Sequence, residues 1–565
     1  MPDIGDVTLA NIDEIPVGVP RLVKADGRRL CMIRTPHGVF VMDNACPHEG
    51  YGLVQGELKG GELTCAWHNW KFRVADGRCL FGEEDVRTYP VRIVGNEVRA
   101  DLTEPDPAEL RPKLFDSLRR AIRENFVGQT ARDVVRLLQA DANPGELVWE
   151  AIAYGAPRAD FGWGHAVASA TDCLEIVARF DGLERAHPIV QAIAGISEVE
   201  RRRPRRPQPA PASALPHDLA GAFRTLVEDE ALDDAEALVL GAIAAGASRD
   251  ELLPAFVGAV TDHHLGYGHM AIYTQKAFTL LDMLGWERAP TVLPHLVPSI
   301  VYGTREDRLP YMRPFMRALA GVDLDDVATR AADPSWSDDG RLLTALLGRD
   351  KTAPLAAAVD AVRDGAGIEG LLDTVVLAVS ERLLRHDPTV DFDLHDDFGW
   401  LDITHGLTYA HAARWAWRAR PGPDTARLAL FTAFQAHYTG RHEWRREGAT
   451  PEIEPRSGDL RRAVEDRRAD DAVAHALSLP ADQGAAELER AALGDRAGSF
   501  IVAAHMIKTG HAAAAESAVL DPEVAARPIA ATARFMAAPR LERFVASNVA
   551  QSIDFLTGQS PKDDD

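Results

Sequence analysis

The sequence predicts two architectures in series: a small all-β domain followed by a large all-α helical-repeat domain. Three observations carry this expectation. Residues 1–104 break into short strand-like runs separated by turn residues. Beyond Thr103-Glu104-Pro105-Asp106-Pro107 the composition shifts to Ala, Leu, Arg and Glu, with apolar residues recurring at three and four positions. That second stretch also contains an internal repeat. A chain of 565 residues is too long for a single core.

The β elements follow in order. Arg29-Leu30-Cys31-Met32-Ile33-Arg34 and Val39-Phe40-Val41-Met42 read as strands across a Thr35-Pro36-His37-Gly38 turn. Glu62-Leu63-Thr64, Trp70-Lys71-Phe72, Val91-Arg92-Ile93 and Glu97-Val98-Arg99 continue the pattern, with turns at Asp76-Gly77 and Gly95-Asn96. Two loops carry Cys46-Pro47-His48 and Cys65-Ala66-Trp67-His68, together C-x-H-x16-C-x2-H. Two thiols and two imidazoles suit zinc as well as an iron–sulfur cluster. The spacing, Pro47 and the Trp67-His68-Asn69-Trp70 continuation resemble Rieske ferredoxins and the Rieske domains of oxygenases. The resemblance covers residues 1–104 and implies a [2Fe-2S] cluster, with Cys46 and Cys65 on one iron and His48 and His68 on the other. Neutral imidazoles in place of thiolates leave such a cluster less negative and easier to reduce. The respiratory type carries an extra Cys beside each ligand pair. Here the neighbours are Glu49-Gly50-Tyr51 and Asn69-Trp70, so the likeness is to the soluble, lower-potential type.

Composition sets further bounds. The apolar fraction of 46% is ample for burial. No run of about 20 apolar residues is present, so no membrane span is expected. The first residues show neither a basic region nor an apolar one of the secretory kind. Of five cysteines, two lie in the ligand motif. Cys31, Cys79 and Cys173 remain, an odd set without a disulfide framework that fits a cytoplasmic protein. A net charge of -23 argues against nucleic acid and suits docking to a basic face of a redox partner.

Residues 105–112 read as a linker and 113–555 as the all-α domain, with helical periodicity at 131–138, 219–227, 371–384 and 500–514. Residues 199–216, with Arg201-Arg202-Arg203-Pro204-Arg205-Arg206-Pro207, read as an exposed, disordered loop. A second loop is expected at 450–458 and a disordered tail at 556–565. The repeat pairs Ala151-Ile152-Ala153-Tyr154-Gly155-Ala156 with Ala242-Ile243-Ala244-Ala245-Gly246-Ala247. It then pairs Phe161-Gly162-Trp163-Gly164-His165 with Leu265-Gly266-Tyr267-Gly268-His269, and Gly182-Leu183-Glu184-Arg185-Ala186 with Gly285-Trp286-Glu287-Arg288-Ala289. The second copy carries about 13 extra residues, ending in Asp262-His263-His264. A fainter echo is Phe398-Gly399-Trp400 followed by His405. Duplicated halves that face one another place equivalent histidines around a common axis.

Five histidines, His165, His264, His269, His405 and His505, sit at the expected starts of apolar helices. One such residue is ordinarily a core histidine. Five in a chain that imports electrons point to a second metal. Asp402-x2-His405-x5-His411 approaches the two-histidine, one-carboxylate pattern of mononuclear iron. However, His405 and His411 are about 120° out of alignment on a helix, and this stretch lacks the strands of the usual oxygenase domain. His505 and Lys508, three apart, share a helix face.

The segments His264-Leu265-Gly266-Tyr267, His405-Gly406-Leu407-Thr408 and His505-Met506-Ile507-Lys508 resemble the questin oxidase-like family, helical proteins acting on aromatic polyketides. Some members are non-heme iron oxygenases that use four histidines and a carboxylated lysine. The resemblance implies His264, His405, His505 and Lys508 as ligands, with His165 or His269 supplying the fourth imidazole. Burial lowers a lysine's pKa, and a neutral amine can take up carbon dioxide to give an anionic carbamate. Trp163, Tyr267, Trp400, Tyr409, Trp415 and Trp417 are candidate residues to line an aromatic pocket.

The expected function is a Rieske-coupled non-heme iron oxygenase acting on an aromatic or polycyclic, polyketide- or quinone-like substrate with dioxygen. Its electrons would come from NAD(P)H through a separate reductase or ferredoxin, because no G-x-G-x-x-G follows a strand here. In a homo-oligomer the cluster could serve a neighbouring chain's iron. The alternative is an electron-transfer protein with a helical docking module and no second metal.

Overall fold

The computed structural model describes residues 6–103, 106–386, 399–444, 452–494 and 498–538, with isolated positions at 545, 549, 552–553 and 556–557. Glu104-Pro105 of the expected linker, Phe398 of the faint repeat, Thr450-Pro451 and residues 558–565 of the tail lie outside the described residues. The chain divides into two compact units, Met1–Ala142 and Asn143–Asp565.

The first unit begins with eleven strands: β1 Asp6–Asn11, β2 Arg21–Ala25, β3 Arg28–Thr35, β4 Gly38–Asp43, β5 Glu57–Lys59, β6 Glu62–Thr64, β7 Lys71–Arg73, β8 Cys79–Phe81, β9 Thr88–Tyr89, β10 Val91–Val94 and β11 Glu97–Asp101. They form three antiparallel sheets, ordered β1-β11-β10, β2-β3-β4-β9 and β5-β6-β7-β8. Strand β3 shows why the segment folds this way. Successive side chains point to opposite faces, and here both faces are buried. Leu30 and Met32 join one core with Val41, Tyr89 and Val98. Cys31 and Ile33 join a second with Leu63, Trp70, Phe72 and the ligand residues Cys46 and Cys65. The two ligand loops therefore stand at the edge of a packed core.

The β sheets are followed within the same unit by two helices, α1 Pro107–Glu124 and α2 Val127–Gln139. Helix α1 begins inside the stretch expected to be a linker, because Pro107 suits the first turn of a helix. Glu84, in the loop after β8, is buried. It pairs with Arg132 and, at 2.9 Å, with Arg136 of α2.

The second unit is helical. Its first part contains α3 Pro144–Gly155, α4 His165–Ile176, α5 Ala186–Glu200, α6 Leu219–Glu228, α7 Leu232–Ala244, α8 Arg249–Thr261 and α9 His269–Leu284. Among the later helices are α10 Gly367–Arg385, α11 Gly399–Ala419, α12 Pro423–Tyr438 and α13 Phe500–Ser517. The repeat read from the sequence aligns α3 and α4 with α7 and α9. The extra stretch of the second copy is helix α8, 13 residues long and opened by a Ser248–Glu251 capping box. Helices α4, α9, α11 and α13 pack in a ring, each against the next.

Residues 201–216 form a largely exposed loop after α5 that is pinned to the fold at Arg206. Arg206 forms an ion pair with the buried Glu236, and its backbone N–H donates to the Pro157 carbonyl at 2.7 Å. One sequence expectation is corrected here, that the five histidines start helices: His165 and His269 open α4 and α9, whereas His405 and His505 lie inside α11 and α13.

Candidate metal centres

The first centre lies on two loops, 44–53 after β4 and 65–70 between β6 and β7. Each loop is closed by backbone hydrogen bonds: Cys46 N–H to the Tyr51 carbonyl and Cys65 N–H to the Trp70 carbonyl, both 2.8 Å. Gly50 and Asn69 turn the chain with φ of 78° and 58°. Cys46 and Cys65 are buried side by side, and burial pushes the Cys46 thiol up to about 12. The imidazoles of His48 and His68 meet edge to face at 4.5 Å, and Trp70 stacks on His48 at 4.9 Å. Buried His48 Nδ1 has no hydrogen-bond partner. An orphaned ring nitrogen beside a second imidazole and two buried thiols fits an electron-poor acceptor in place of a proton donor. His68 remains 42% exposed, so this edge of the centre reaches solvent.

A small β unit with two thiols and two imidazoles on paired loops defines a one-electron iron–sulfur carrier. Residues 6–90 match the Rieske [2Fe-2S] domain model. The ferredoxin component of a naphthalene 1,2-dioxygenase system from Pseudomonas aeruginosa is 34% identical over 92 residues, 16% of this chain and 88% of that protein. By its N-terminal domain the chain belongs to the Rieske [2Fe-2S] family, and the domain implies the cluster. The oxygenase component of a 3-ketosteroid-9-alpha-monooxygenase from Mycobacterium tuberculosis is 32% identical over 110 residues, 17% of this chain and 28% of that protein. Among solved structures, the ferredoxin of carbazole 1,9a-dioxygenase from Nocardioides aromaticivorans is 27% identical, over 18% of this chain and all of that one, with a TM-score of 0.17. The oxygenase relatives match this chain only through its Rieske domain.

The second centre lies in the ring of α4, α9, α11 and α13. His165, His269, His405 and His505 form a square of rings, with neighbouring centroids 4.9, 4.2, 4.8 and 4.7 Å apart. The Nε2 atoms of His165 and His269 are 3.1 Å apart, as are those of His405 and His505. Two of the four have Nδ1 held from behind by a backbone carbonyl. His505 Nδ1 donates to the Ile501 carbonyl at 2.6 Å, and His269 Nδ1 donates to that of Gly266. The Tyr273 hydroxyl lies 3.3 Å from His165 Nδ1, and His405 Nδ1 is buried with no hydrogen-bond partner. Fixing Nδ1–H on a carbonyl leaves Nε2 as a lone pair, as in metal-ligating histidines.

Nε2 atoms this close hold between them either the single proton of a neutral ring or a metal ion. Burial keeps the imidazoles neutral, with His165 held well below its ordinary range and His269 down to about 3. Ring nitrogens of His165, His405 and His505 all lie within 4.8 Å of one another, close enough to share a metal ion. Lys508, one turn beyond His505, is 1% exposed and its Nζ has no partner. Burial lowers it to about 7, with Asp172 opposing the shift and Lys276 adding to it.

The structure thus brings together His165, His269, His405, His505 and Lys508, and it draws His264 elsewhere. His264 Nε2 lies 3.0 Å from the buried Glu306 and 3.3 Å from Gln435, with the Tyr409 hydroxyl 3.4 Å from Nδ1. The cause is the Gly266–Gly268 turn, where Tyr267 and Gly268 take φ of 55° and 86°. This reverses the chain between the two histidines and aims only His269 into the ring. The Asp402, His405 and His411 set is not assembled either. Asp402 receives His442 at 2.8 Å and His411 pairs with Glu516 at 2.8 Å, as expected of residues out of phase on α11.

Of the candidate lining residues, Tyr267 stacks on His405 at 6.1 Å and is 38% exposed. Trp163 and Trp400 are core residues: the Trp163 indole donates to the Val292 carbonyl, and Trp400 packs on His386 and Phe535. Tyr409 is buried against His264, and Trp415 packs on Phe278.

Proposed function

We propose that this chain is a Rieske-coupled non-heme iron oxygenase. Cys46, Cys65, His48 and His68 hold the cluster, which takes up and gives out single electrons. His165, His269, His405 and His505, with Lys508 as its carbamate, hold a mononuclear iron that supplies dioxygen activation when bound. The observation that carries this reading is the square of imidazoles whose Nε2 atoms face one another in pairs 3.1 Å apart, with Nδ1 tied back to a carbonyl in His269 and His505. Imidazole nitrogen suits iron, and a carbamate would supply the anionic oxygen that the histidines lack. Lys508 fits that role, being buried, unpartnered and lowered toward neutrality.

The substrate class follows from two supports. The resemblance of the helical part to the questin oxidase-like family points to an aromatic or polycyclic, polyketide- or quinone-like molecule. Tyr267, half-exposed and stacked on His405, offers such a molecule a flat surface beside the imidazoles. The reaction is hydroxylation, ring cleavage or Baeyer–Villiger-like oxygen insertion, with electrons from NAD(P)H through a separate reductase or ferredoxin.

Metal analysis tests the reading. Wild-type protein is expected to hold one iron beyond those of its cluster, and His405→Ala or His505→Ala to lose it with the cluster spectrum unchanged. Dioxygen uptake with a reduced partner and a polycyclic quinone tests the substrate class. A chain holding only the cluster iron would be an electron-transfer protein.

A further inference from the structure

We propose that Asp172, Lys276, Glu175 and His511 form a proton path that joins solvent to the Lys508 side of the four-histidine layer. The inference rests on the iron-centre reading and adds residues that the layer does not contain. Asp172 and Lys276 lie at the same distance past His165 and His269 in the two copies of the repeat, seven residues in each. That is about two helical turns and 10 Å further along the bundle. Lys276 Nζ is 2.6 Å from Asp172 Oδ1 and 3.4 Å from Glu175 Oε2. His511 Nε2 is 3.2 Å from the same Glu175 oxygen, and His511 Nδ1 is 3.1 Å from Glu489. Arg179, 47% exposed, closes the row on Glu489 at 3.1 Å. Glu175 is itself 28% exposed, whereas Asp172 is fully buried. The row therefore runs from a wetted carboxylate to a dry one, and the dry end faces Lys508.

Three arguments favour proton movement over a purely structural role. Burying this many charges costs several kcal/mol per ion, and well-packed apolar groups often serve stability as well. The ends of the row are incomplete: Asp172 Oδ2 and Lys508 Nζ are both buried with no hydrogen-bond partner. Finally, dioxygen reduction consumes protons with its electrons, and the histidine layer has none to give. An imidazole bound through Nε2 keeps its remaining proton on Nδ1, on the side away from the metal, and His269 and His505 tie theirs to backbone carbonyls. The next layer must supply it, and Asp172 is the first carboxylate there. A second metal at Asp172, Glu175 and His511, whose ligand atoms lie within 4.8 Å of one another, is excluded by the Lys276 ammonium between the two carboxylates.

One proton crosses per step. A Lys276 N–H bond breaks to protonate the paired Asp172 carboxylate, and the O–H so formed breaks in turn toward the Lys508 side of the layer, where reduced dioxygen takes the proton. Glu175 returns a proton to Lys276, and His511 or water returns one to Glu175. No electrons move along the row; they come from the cluster, and dioxygen is the oxidant. The groups facing the row are Lys508, His411, Glu489 and Arg179, with the His411 ring 6.4 Å from that of His511.

The test uses full-length, iron-loaded protein. Glu175→Gln and His511→Gln are expected to keep the third iron but to slow proton uptake, followed with an indicator dye during dioxygen reduction, by about 100-fold. Glu175→Asp, or added imidazole as a diffusible shuttle, restores the rate. The reduced-minus-oxidised infrared spectrum is expected to show a carboxylate band that moves on reduction and disappears in Asp172→Asn. Wild-type uptake rates in both iron-loaded variants would overturn the path alone. A wild-type chain without the third iron would overturn the iron centre, and the path with it.

Discussion

His264 and His269 are five residues apart, yet one pairs with Glu306 and the other enters the histidine ring. The local motif could not separate them, because the decision lies in the backbone. A methyl group on Gly268 would come 2.3 Å from the Tyr409 ring, so only glycine permits the turn to close against α11. Tyr409 in turn faces His264. His264 therefore balances Glu306, which also accepts the Tyr267 N–H at 2.8 Å and so holds the turn that aims His269. Removing the imidazole leaves a buried carboxylate unpaired, at a cost of about 3 kcal/mol. His264→Gln is accordingly expected to retain its mononuclear iron and unfold at lower denaturant, whereas His269→Ala loses the metal. Loss of iron in His264→Gln at full folded occupancy would place His264 among the ligands instead.

At the scale of elements, the strands, the ligand loops and the duplicated helices were legible because each has a local pattern. Strand β3 buries both faces, and its run of Leu30, Cys31, Met32 and Ile33 declares this directly. Asp172 and Lys276 were legible in principle, since the repeat places them in register, but a match of opposite charges does not look like a match. The attachment of α1 and α2 to the β unit had no local pattern, because it depends on Glu84 meeting arginines on a helix about 50 residues later. The buried Asp133 of α2, held by the Ser117 hydroxyl at 2.6 Å, belongs to the same joint. A fragment of residues 1–142 is therefore expected to assemble the cluster and to melt several degrees above a fragment of residues 1–104. Equal melting temperatures, read by the loss of the visible cluster spectrum, would show that the hairpin adds nothing to this unit.

Across the whole molecule, the helical unit is organised around one polar axis rather than a uniform apolar core. The Asp172–Lys276 and Glu175–His511 contacts require α4, α9 and α13 to run away from the histidine layer in a common direction, and the His411–His511 pair adds α11. No local periodicity reports such an arrangement, although histidines at 405 and 411 and again at 505 and 511 hint at it. The axis makes stability depend on pH. Burial alone would lower His511, but its hydrogen bonds to Glu175 and Glu489 carry it up to about 9 from an ordinary 6.5. A histidine raised in the folded state binds its proton more tightly there than in the unfolded chain. Its contribution is complete below pH 6.5 and is lost as pH rises through 9. The shift corresponds to about 3 kcal/mol. His511→Gln removes this term, so the difference in unfolding free energy between wild type and variant is expected to shrink steadily from pH 6 to pH 10. Groups that do not touch His511 cancel in the difference. A gap that stays constant over that range would mean that His511 is neutral in the folded protein, and that the row of charges beneath the histidine layer ends at Glu175.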